Sequence, residues 1–229
     1  MTTTARDPYP PLPEPPTDSA AWAAAEGYLR SGFTCFNRWF MVPVHRAGLG
    51  AWVSTPVGGY MLLLRVRGRK SGVIRETPLN YVVAEGAAWV VAGFGPRTEW
   101  YRNLQADPRV EAWLPGRRLT GTATEELNPQ VRARILPVLI RSTPLPGSMI
   151  GVNPFTAPDE AIIKALEWVP LIRITADAEW LDPGADDPGG SAWIWRQAVA
   201  LGASWLALRL VRRVARGIVR GFARGSTGR

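Results

Sequence analysis

Short apolar runs dominate the middle of the chain, and polar turn residues separate them at close intervals. The runs are rich in β-branched and aromatic residues, which is typical of strands. They lie at 60–67, 77–84, 87–94, 109–115 and 117–126, with a closing run, VPLIRITA, at 169–176. Because turns rather than crossover helices join most of these runs, the pattern predicts an antiparallel barrel rather than a parallel sheet.

Two connections carry tight hairpin signals. The segment EGAA at 85–88 joins two strand-like runs, and LPGRR does the same around Pro115 and Gly116. Both are short and contain glycine, so each predicts a β-hairpin.

Helical patterns flank and interrupt the strands. A helix start at Asp18 or Ser19 precedes a run of strong helix formers. Apolar helical pieces then follow, and we expect Pro43 and Gly48 to break them. Further short helices are predicted over 97–108, ended by Asp107 and Pro108, and over 159–168.

A longer helix is predicted after residue 127. Asn128 is expected to cap its N-terminus, with Pro129 in the first turn. Proline lacks an N–H group, so Pro137 should kink or end this helix.

These patterns divide the 229 residues into five expected segments. They are a disordered Pro-rich N-terminus (1–18), a helical lead-in (19–56), a β-barrel (57–177), a linker (178–191) and a basic amphipathic helix (192–229).

The rarity of cysteine and histidine excludes several classes of protein. With one cysteine there is no internal disulfide, and with one histidine we expect no metal site. We interpret Cys35 as a small buried apolar residue and His45 as a packing residue. The N-terminus lacks the basic and apolar regions of a secretory signal, so a cytoplasmic location is expected.

The net charge of +8 belongs to the C-terminal tail. From residue 191 onward the chain has eight arginines and no acid, which leaves nineteen basic and nineteen acidic residues in the rest. A neutral body argues against a specific nucleic-acid binder.

A cation-rich turn, GRKSGVIRETPL at 68–79, separates two strand-like runs. Arg69, Lys70, Ser71 and Arg75 offer charge and hydrogen-bond donors, and the flanking glycines keep the backbone accessible. The turn is therefore a candidate anion site. The alternative, a solvated hairpin tip whose cations protect a strand edge, is equally compatible with these residues.

Two motifs and their spacing resemble the deazaflavin-dependent nitroreductase and quinone reductase family. They are GRKSGxxRxTPL at 68–79 and WYxNLxADP at 100–108, followed by VxAW and GRR in the next strand pair. The similarity runs in order over about half of the chain. Members are split β-barrel oxidoreductases that use reduced F420. The resemblance therefore implies an α+β, mainly β fold: an antiparallel split β-barrel of the FMN-binding kind with short peripheral helices.

The resemblance also implies which residues contact the cofactor. The basic turn would hold its phosphate and acidic tail, the following strand would back its ring system, and a glycine-flanked loop would pass close to it. Trp100 and Asn103 would brace the pocket, although Trp100 is equally an ordinary core aromatic. The implied set is Arg69, Lys70, Ser71, Gly72, Arg75, Thr77, Pro78, Leu79, Gly93, Phe94, Gly95, Trp100 and Asn103.

The chemistry that the resemblance implies is hydride transfer to a small lipophilic acceptor of quinone, enone or nitro type. Candidate proton donors are Tyr81, Tyr101 and Ser148. The short loop GFGPRTE and the lack of a tyrosine-rich pattern at 142–160 depart from some relatives, so the substrate stays open. FMN as the cofactor and a non-catalytic, membrane-associated binding protein are the alternatives. The protein is expected to be a monomer or a homodimer.

The C-terminal tail has the pattern of a basic amphipathic helix. Arginines recur at steps of three and four residues on one face, and apolar residues recur on the other. The uninterrupted apolar run is shorter than the ~20 residues that span a bilayer. We therefore expect 192–229 to lie on the inner surface of the cell membrane, with packing on the barrel, a partner helix or nonspecific nucleic-acid contact as alternatives.

Overall fold

The computed structural model describes residues 10–13, 31–32, 34–56, 58–143, 153–178 and 192–225, with side chains of the last range described from residue 193 to residue 213. The chain divides into two compact units, Met1–Gly189 and Gly190–Arg229. The helix start predicted at Asp18 or Ser19 and most of the 178–191 linker lie outside the described residues.

Six antiparallel strands form a closed barrel in the order β1-β2-β3-β6-β5-β4. This architecture confirms the predicted fold class. The two largest boundary differences are in β2, which begins at residue 74 instead of 77, and in β3, which ends at 91 instead of 94. The strands are β1 (Met61–Arg67), β2 (Ile74–Ala84), β3 (Ala87–Val91), β4 (Arg109–Leu114), β5 (Arg117–Glu125) and β6 (Leu171–Ala176).

Besides the helical residues 31–32 and 34–36, six α-helices have defined bounds in the described residues, five in the first unit and one in the second. They are α1 (Val42–Arg46), α2 (Gly50–Val53), α3 (Glu99–Ala106), α4 (Pro129–Arg141), α5 (Asp159–Ala165) and α6 (Ala192–Gly225). As predicted, the side chain of Asn128 caps α4 by accepting hydrogen bonds from the N–H groups of Gln130 (2.9 Å) and Val131 (3.4 Å).

Alternation along the strands separates the barrel interior from its outer face. In β1, Leu62, Leu64 and Val66 belong to the interior cluster. Arg65 lies between them and pairs outside with Glu76 of β2 and Glu111 of β4, the residues opposite it on the two neighbouring strands.

A second core forms where helices cover the outer face of β3. Trp89 is fully buried there and packs in one cluster with Leu136 and Leu139 of α4 and Ile162 of α5. The barrel is therefore packed on both faces along this side, which explains why β3 reads as a nearly continuous apolar run.

Both predicted hairpins are present. The β2–β3 turn has positive φ at Glu85 (51°) and Gly86 (72°), and this two-residue arrangement matches the twist of the flanking strands. Gly116 has φ of 89° in the β4–β5 turn.

The expectation for Pro43 needs correction, and of the two alternatives for Pro137 the helix end is wrong. Pro43 does not break the lead-in, because it lies in the first turn of α1, directly after a π-helical turn at Asn37–Met41. There the N–H of Val42 reaches back five residues to the carbonyl of Asn37, and such a widened turn accommodates a residue without an N–H. Pro137 does not end α4, which continues to Arg141. Gly48, with φ of 77°, does separate α1 from α2.

The second unit contains α6, a single helix of 34 residues. Its described side chains include several exposed apolar ones, among them Trp195, Leu201, Trp205 and Leu210. The guanidinium of Arg209 lies 4.2 Å from the ring centre of Trp205. Within the described residues, no helix is both long enough and apolar enough to cross a bilayer.

Candidate functional site

The cation-rich turn lies between β1 and β2 and is closed by its own backbone. The N–H of Gly68 donates to the carbonyl of Val73 (2.9 Å), and the N–H of Gly72 donates to the carbonyl of Gly68 (2.8 Å). The Ser71 hydroxyl oxygen accepts from the Val73 N–H and from Arg75 Nη2, both at 3.4 Å. Ser71 and Arg75 are therefore brought together.

Helix α3 anchors the turn through Asn103. Its side-chain Oδ1 accepts from the backbone N–H of Arg69 (3.2 Å) and from Arg69 Nη1 (3.0 Å). Asn103 is only 5% exposed, so its side-chain amide forms hydrogen bonds with the turn in place of water. These two hydrogen bonds link α3 to the turn.

Arg69 also forms an ion pair with Glu99, the first residue of α3. Arg69 Nη1 lies 2.8 Å from one carboxylate oxygen, and Nη2 lies 3.4 Å from the other. The hydrogen bond from Arg69 lowers the pKa of Glu99, and the charges of Arg69, Arg102 and Lys70 lower it further. The turn thus has a carboxylate among its cations.

The strand residues predicted to back a ring system lie on β2 where, among the described residues, β1 is its one neighbouring strand. Residues 74–80 pair with β1, whereas pairing with β3 begins at Tyr81. Pro78, opposite Leu63, is tolerated there because an edge segment does not require every N–H group. Leu79 packs against the interior cluster and Thr77 is half-buried, so this segment has both a packed and an accessible part.

The loop Gly93–Gly95 follows β3, and its two glycines differ. A Cβ on Gly95 would lie 2.6 Å from the Trp168 ring, and φ there is 71°, so packing alone requires this glycine. A Cβ on exposed Gly93 would meet nothing within 4 Å. Packing therefore gives no reason for a glycine at position 93. Phe94, between the two glycines, is half-buried.

Trp100 is a core residue of the barrel. It is 6% exposed, belongs to the interior cluster and meets the ring of Tyr101 edge-on at 6.5 Å. Of the two α3 residues in the implied cofactor set, Asn103 forms hydrogen bonds with the turn.

The predicted proton donors have different environments. Tyr81 is 2% exposed in the barrel interior. The Tyr101 hydroxyl donates to Glu125 Oε2 (2.7 Å), and burial together with this carboxylate raises the pKa of Tyr101 well above its usual value. Ser148 lies outside the described residues.

Tyr101 and Glu125 line a cleft with apolar neighbours. The cleft has a volume of about 210 Å³, and its other lining residues are Pro11, Leu12, Pro13, Pro96, Leu127, Trp168 and Pro170. It lies at the same end of the barrel as the cation-rich turn, because the end of β1 pairs with the start of β4, and the start of β4 pairs with the end of β5.

The one histidine and the one cysteine of the sequence lie in different environments. His45 is buried, with Nδ1 2.9 Å from the Met41 carbonyl oxygen, which agrees with a packing role. The expectation for Cys35 is wrong, because its side chain is exposed in the lead-in. A helical segment buries only one face, and a lone cysteine carries no signal for which face it occupies.

Sequence reasoning missed Glu99 and Glu125. Glu99 immediately precedes the WYxNLxADP motif, and its position at a helix N-terminus was a visible signal. Nothing local indicated Glu125, because its partner Tyr101 is 24 residues away.

The family model described as F420H(2)-dependent quinone reductase matches residues 41–145. The matched segment contains β1 to β5, the cation-rich turn, α3 and α4. The match confirms the family resemblance predicted from the sequence, and with it an oxidoreductase that uses F420. A search of curated proteins found no significant match.

Several solved structures are similar in fold. The F420-H2 dependent reductase FDR-A has 23% identity over 50% of this chain and 92% of its own, with a TM-score of 0.38. A conserved hypothetical protein from Mycobacterium tuberculosis has 17% identity over 59% and 82%, with a TM-score of 0.41. The heme storage protein HutZ from Vibrio cholerae has 12% identity over 54% and 86%, with a TM-score of 0.39. Similarity at this level says nothing about substrate, and the strand pairing of this chain establishes its fold.

Proposed function

We propose that this protein transfers a hydride from reduced F420 to a small lipophilic acceptor of quinone, enone or nitro type. The observation that carries the proposal is the cation-rich turn, which is anchored to α3 by Asn103 and lies within the segment matched by the family model.

The turn has the chemistry and the space that an anionic group requires. Lys70, Ser71 and Arg75 are exposed and offer an ammonium, a hydroxyl and a guanidinium. A Cβ on Gly68 would lie 3.0 Å from the Val73 carbonyl oxygen, 3.1 Å from Ser71 Oγ and 3.5 Å from Arg75 Nε. Glycine therefore avoids crowding these polar atoms, which supports the assignment of phosphate and acidic-tail contacts to this turn.

We assign the remaining contacts by position. Arg69, Lys70, Ser71, Gly72 and Arg75 would hold the anionic part of F420. The segment at 77–79 of β2, in which Thr77 and Leu79 are half-buried and Pro78 is buried, would contact its ring system together with Gly93. When bound, reduced F420 supplies the hydride. The protein's part is to orient the two reactants, and the largely apolar cleft beside Tyr101 is our candidate site for a lipophilic acceptor.

We infer that Tyr101 is better placed than Tyr81 to give a proton to the product. Both tyrosines belong to the interior cluster, but Tyr101 is 9% exposed against 2% for Tyr81, and Tyr101 lines the cleft. Glu125 fixes the Tyr101 hydroxyl by accepting its hydrogen bond, so the two residues form one unit.

Cofactor binding tests the proposal directly. We expect oxidised F420 to quench protein fluorescence on binding, and the double variant Lys70→Ala/Arg75→Ala to lose most of this affinity. A control variant, Arg134→Ala/Lys164→Ala, removes two cations from α4 and α5 and should bind like the wild type. Binding of FMN but not F420 by the folded wild type would contradict the cofactor assignment. Binding without turnover of any quinone, enone or nitro acceptor would contradict the proposed enzymatic activity.

We further propose that α6 binds the inner, anionic face of the cell membrane, which would suit an enzyme with a lipophilic substrate. Exposed apolar side chains and arginines occur together along its described part, including Trp205 next to Arg209. The full chain should float with vesicles that contain phosphatidylglycerol and not with pure phosphatidylcholine, and salt should weaken the association.

The matched pair of variants for this test changes three arginines each. Arg209→Gln/Arg212→Gln/Arg213→Gln should lose vesicle binding, whereas Arg38→Gln/Arg134→Gln/Arg141→Gln, with the same loss of charge in the first unit, should retain it. Equal loss in both would indicate a net-charge effect, and no vesicle binding by the wild type would contradict the proposal.

A further inference from the structure

The carboxylate of Glu99 lies where a ligand anion would meet Arg69. It has an ion pair with Arg69 at 2.8 Å and a longer one with Arg102 at 3.6 Å, and the charge of Lys70 also acts on it. We propose that Glu99 is a built-in competitor that occupies this anion position in the free protein and makes it selective for groups with more than one negative charge. This inference rests on the proposed cofactor site.

The geometry allows Glu99 to leave while Arg69 stays in place. The Glu99 side chain is 65% exposed, whereas the Arg69 side chain is 21% exposed. Buried Asn103 holds both the backbone N–H and the guanidinium of Arg69 independently of Glu99. Departure of the carboxylate would therefore break its ion pairs with Arg69 and Arg102, and such pairs are weak because the carboxylate is largely exposed.

Selectivity follows from the charge balance at the guanidinium. A ligand with a single carboxylate would replace one negative charge by another and would gain little. A phosphate dianion or a group of adjacent carboxylates brings more negative charge to the same cations, and the Coulomb energy grows with that charge. Glu99 would thus exclude simple monoanions from Arg69 without closing it to a polyanionic group.

Neutralising Glu99 is the decisive change. Glu99→Gln keeps the shape of the side chain and the helix start but removes the competing charge. We expect it to tighten binding of F420 and of inorganic pyrophosphate by about threefold or more. The matched control Glu85→Gln removes a carboxylate from the exposed pair with Arg134 (2.9 Å) and should change neither affinity.

Two further measurements test whether the effect of Glu99→Gln depends on Arg69. In an Arg69→Gln background, Glu99→Gln should no longer tighten binding. Acetate should not displace pyrophosphate from the wild type at concentrations at which it does so from Glu99→Gln.

The outcomes separate this inference from the proposed function. If the wild type binds F420 and Lys70→Ala/Arg75→Ala does not, equal or weaker binding by Glu99→Gln overturns the competitor role and leaves the cofactor assignment standing. If neither the wild type nor any variant binds F420, the proposed function fails. Pyrophosphate binding is then the one measurement that tests the role of Glu99 as a competitor. Tighter pyrophosphate binding by Glu99→Gln then supports it, and equal or absent binding overturns it.

Discussion

Arg132 of α4 donates a hydrogen bond to the carbonyl of Leu166 (3.0 Å), at the C-terminal end of the α5 helix that packs beside it. The same guanidinium also reaches the carbonyls of Glu126, Glu167 and Val169. Arg132 is 6% exposed, and burial lowers its pKa. One side chain therefore satisfies the backbone of two segments, the one after β5 and the one between α5 and β6.

The first prediction concerns this contact. Arg132→Lys should lower the free energy of unfolding by ~2–3 kcal/mol, because an ammonium cannot reach all of these carbonyls and leaves buried acceptors unpaired. Urea denaturation measures the change. Arg134→Lys, on an exposed position of the same helix, should change stability by less than ~0.5 kcal/mol. Equal midpoints for both variants would contradict the role of Arg132.

A second prediction separates packing from function in the loop after β3. Gly95→Ala should destabilise the protein by ~1–3 kcal/mol, because the new methyl would meet the Trp168 ring at a positive φ. Gly93→Ala should leave the thermal midpoint close to that of the wild type, since its Cβ has open space. If the loop contacts F420 as proposed, Gly93→Ala should nevertheless weaken F420 binding. Unchanged affinity in a stable Gly93→Ala protein would remove Gly93 from the cofactor site.

The third prediction concerns the titration of Tyr101. Burial and the hydrogen bond to Glu125 raise its pKa, so its phenolate should form at a higher pH than that of an ordinary tyrosine. Tyr101→Phe should remove a late-titrating group from the phenolate absorbance curve, and Glu125→Gln should move that group to lower pH. Loss of an early-titrating group in Tyr101→Phe would contradict this assignment.

A fourth prediction concerns the exposed ion pair between Arg109 and Asp177, which joins β4 to the end of β6 at 2.7 and 2.8 Å. The hydrogen bond from Arg109 lowers the pKa of Asp177 in the folded protein. The pair therefore stabilises the fold above the usual aspartate pKa of ~3.9, and this contribution is lost as the pH falls through the lower, folded value.

Asp177→Asn should accordingly reduce stability slightly at neutral pH, and the difference from the wild type should shrink in acid. Urea midpoints at a series of pH values test this, and added salt should reduce the difference because both groups are exposed. A difference that grows in acid would have the wrong sign for this pair.

The sequence alone determined the local structure of the barrel unit. Alternation and turn residues located all six strands, and Asn128 with Pro129 located the start of α4. These features depend on residues a few positions apart, which is why a linear pattern carries them. The motif that includes Arg69 and Lys70 likewise indicated an anion site and a family before any contact was known.

Tertiary structure decided which groups meet across the fold. Arg69 and Glu99 are 30 residues apart, and Tyr101 and Glu125 are 24 apart, so only barrel closure and the docking of α3 bring each pair together. It also decided that Pro43 and Pro137 lie within helices and that Cys35 is exposed. The physical reason is that burial and pairing depend on what packs against a residue, and this is set by elements distant in sequence rather than by its neighbours in the chain.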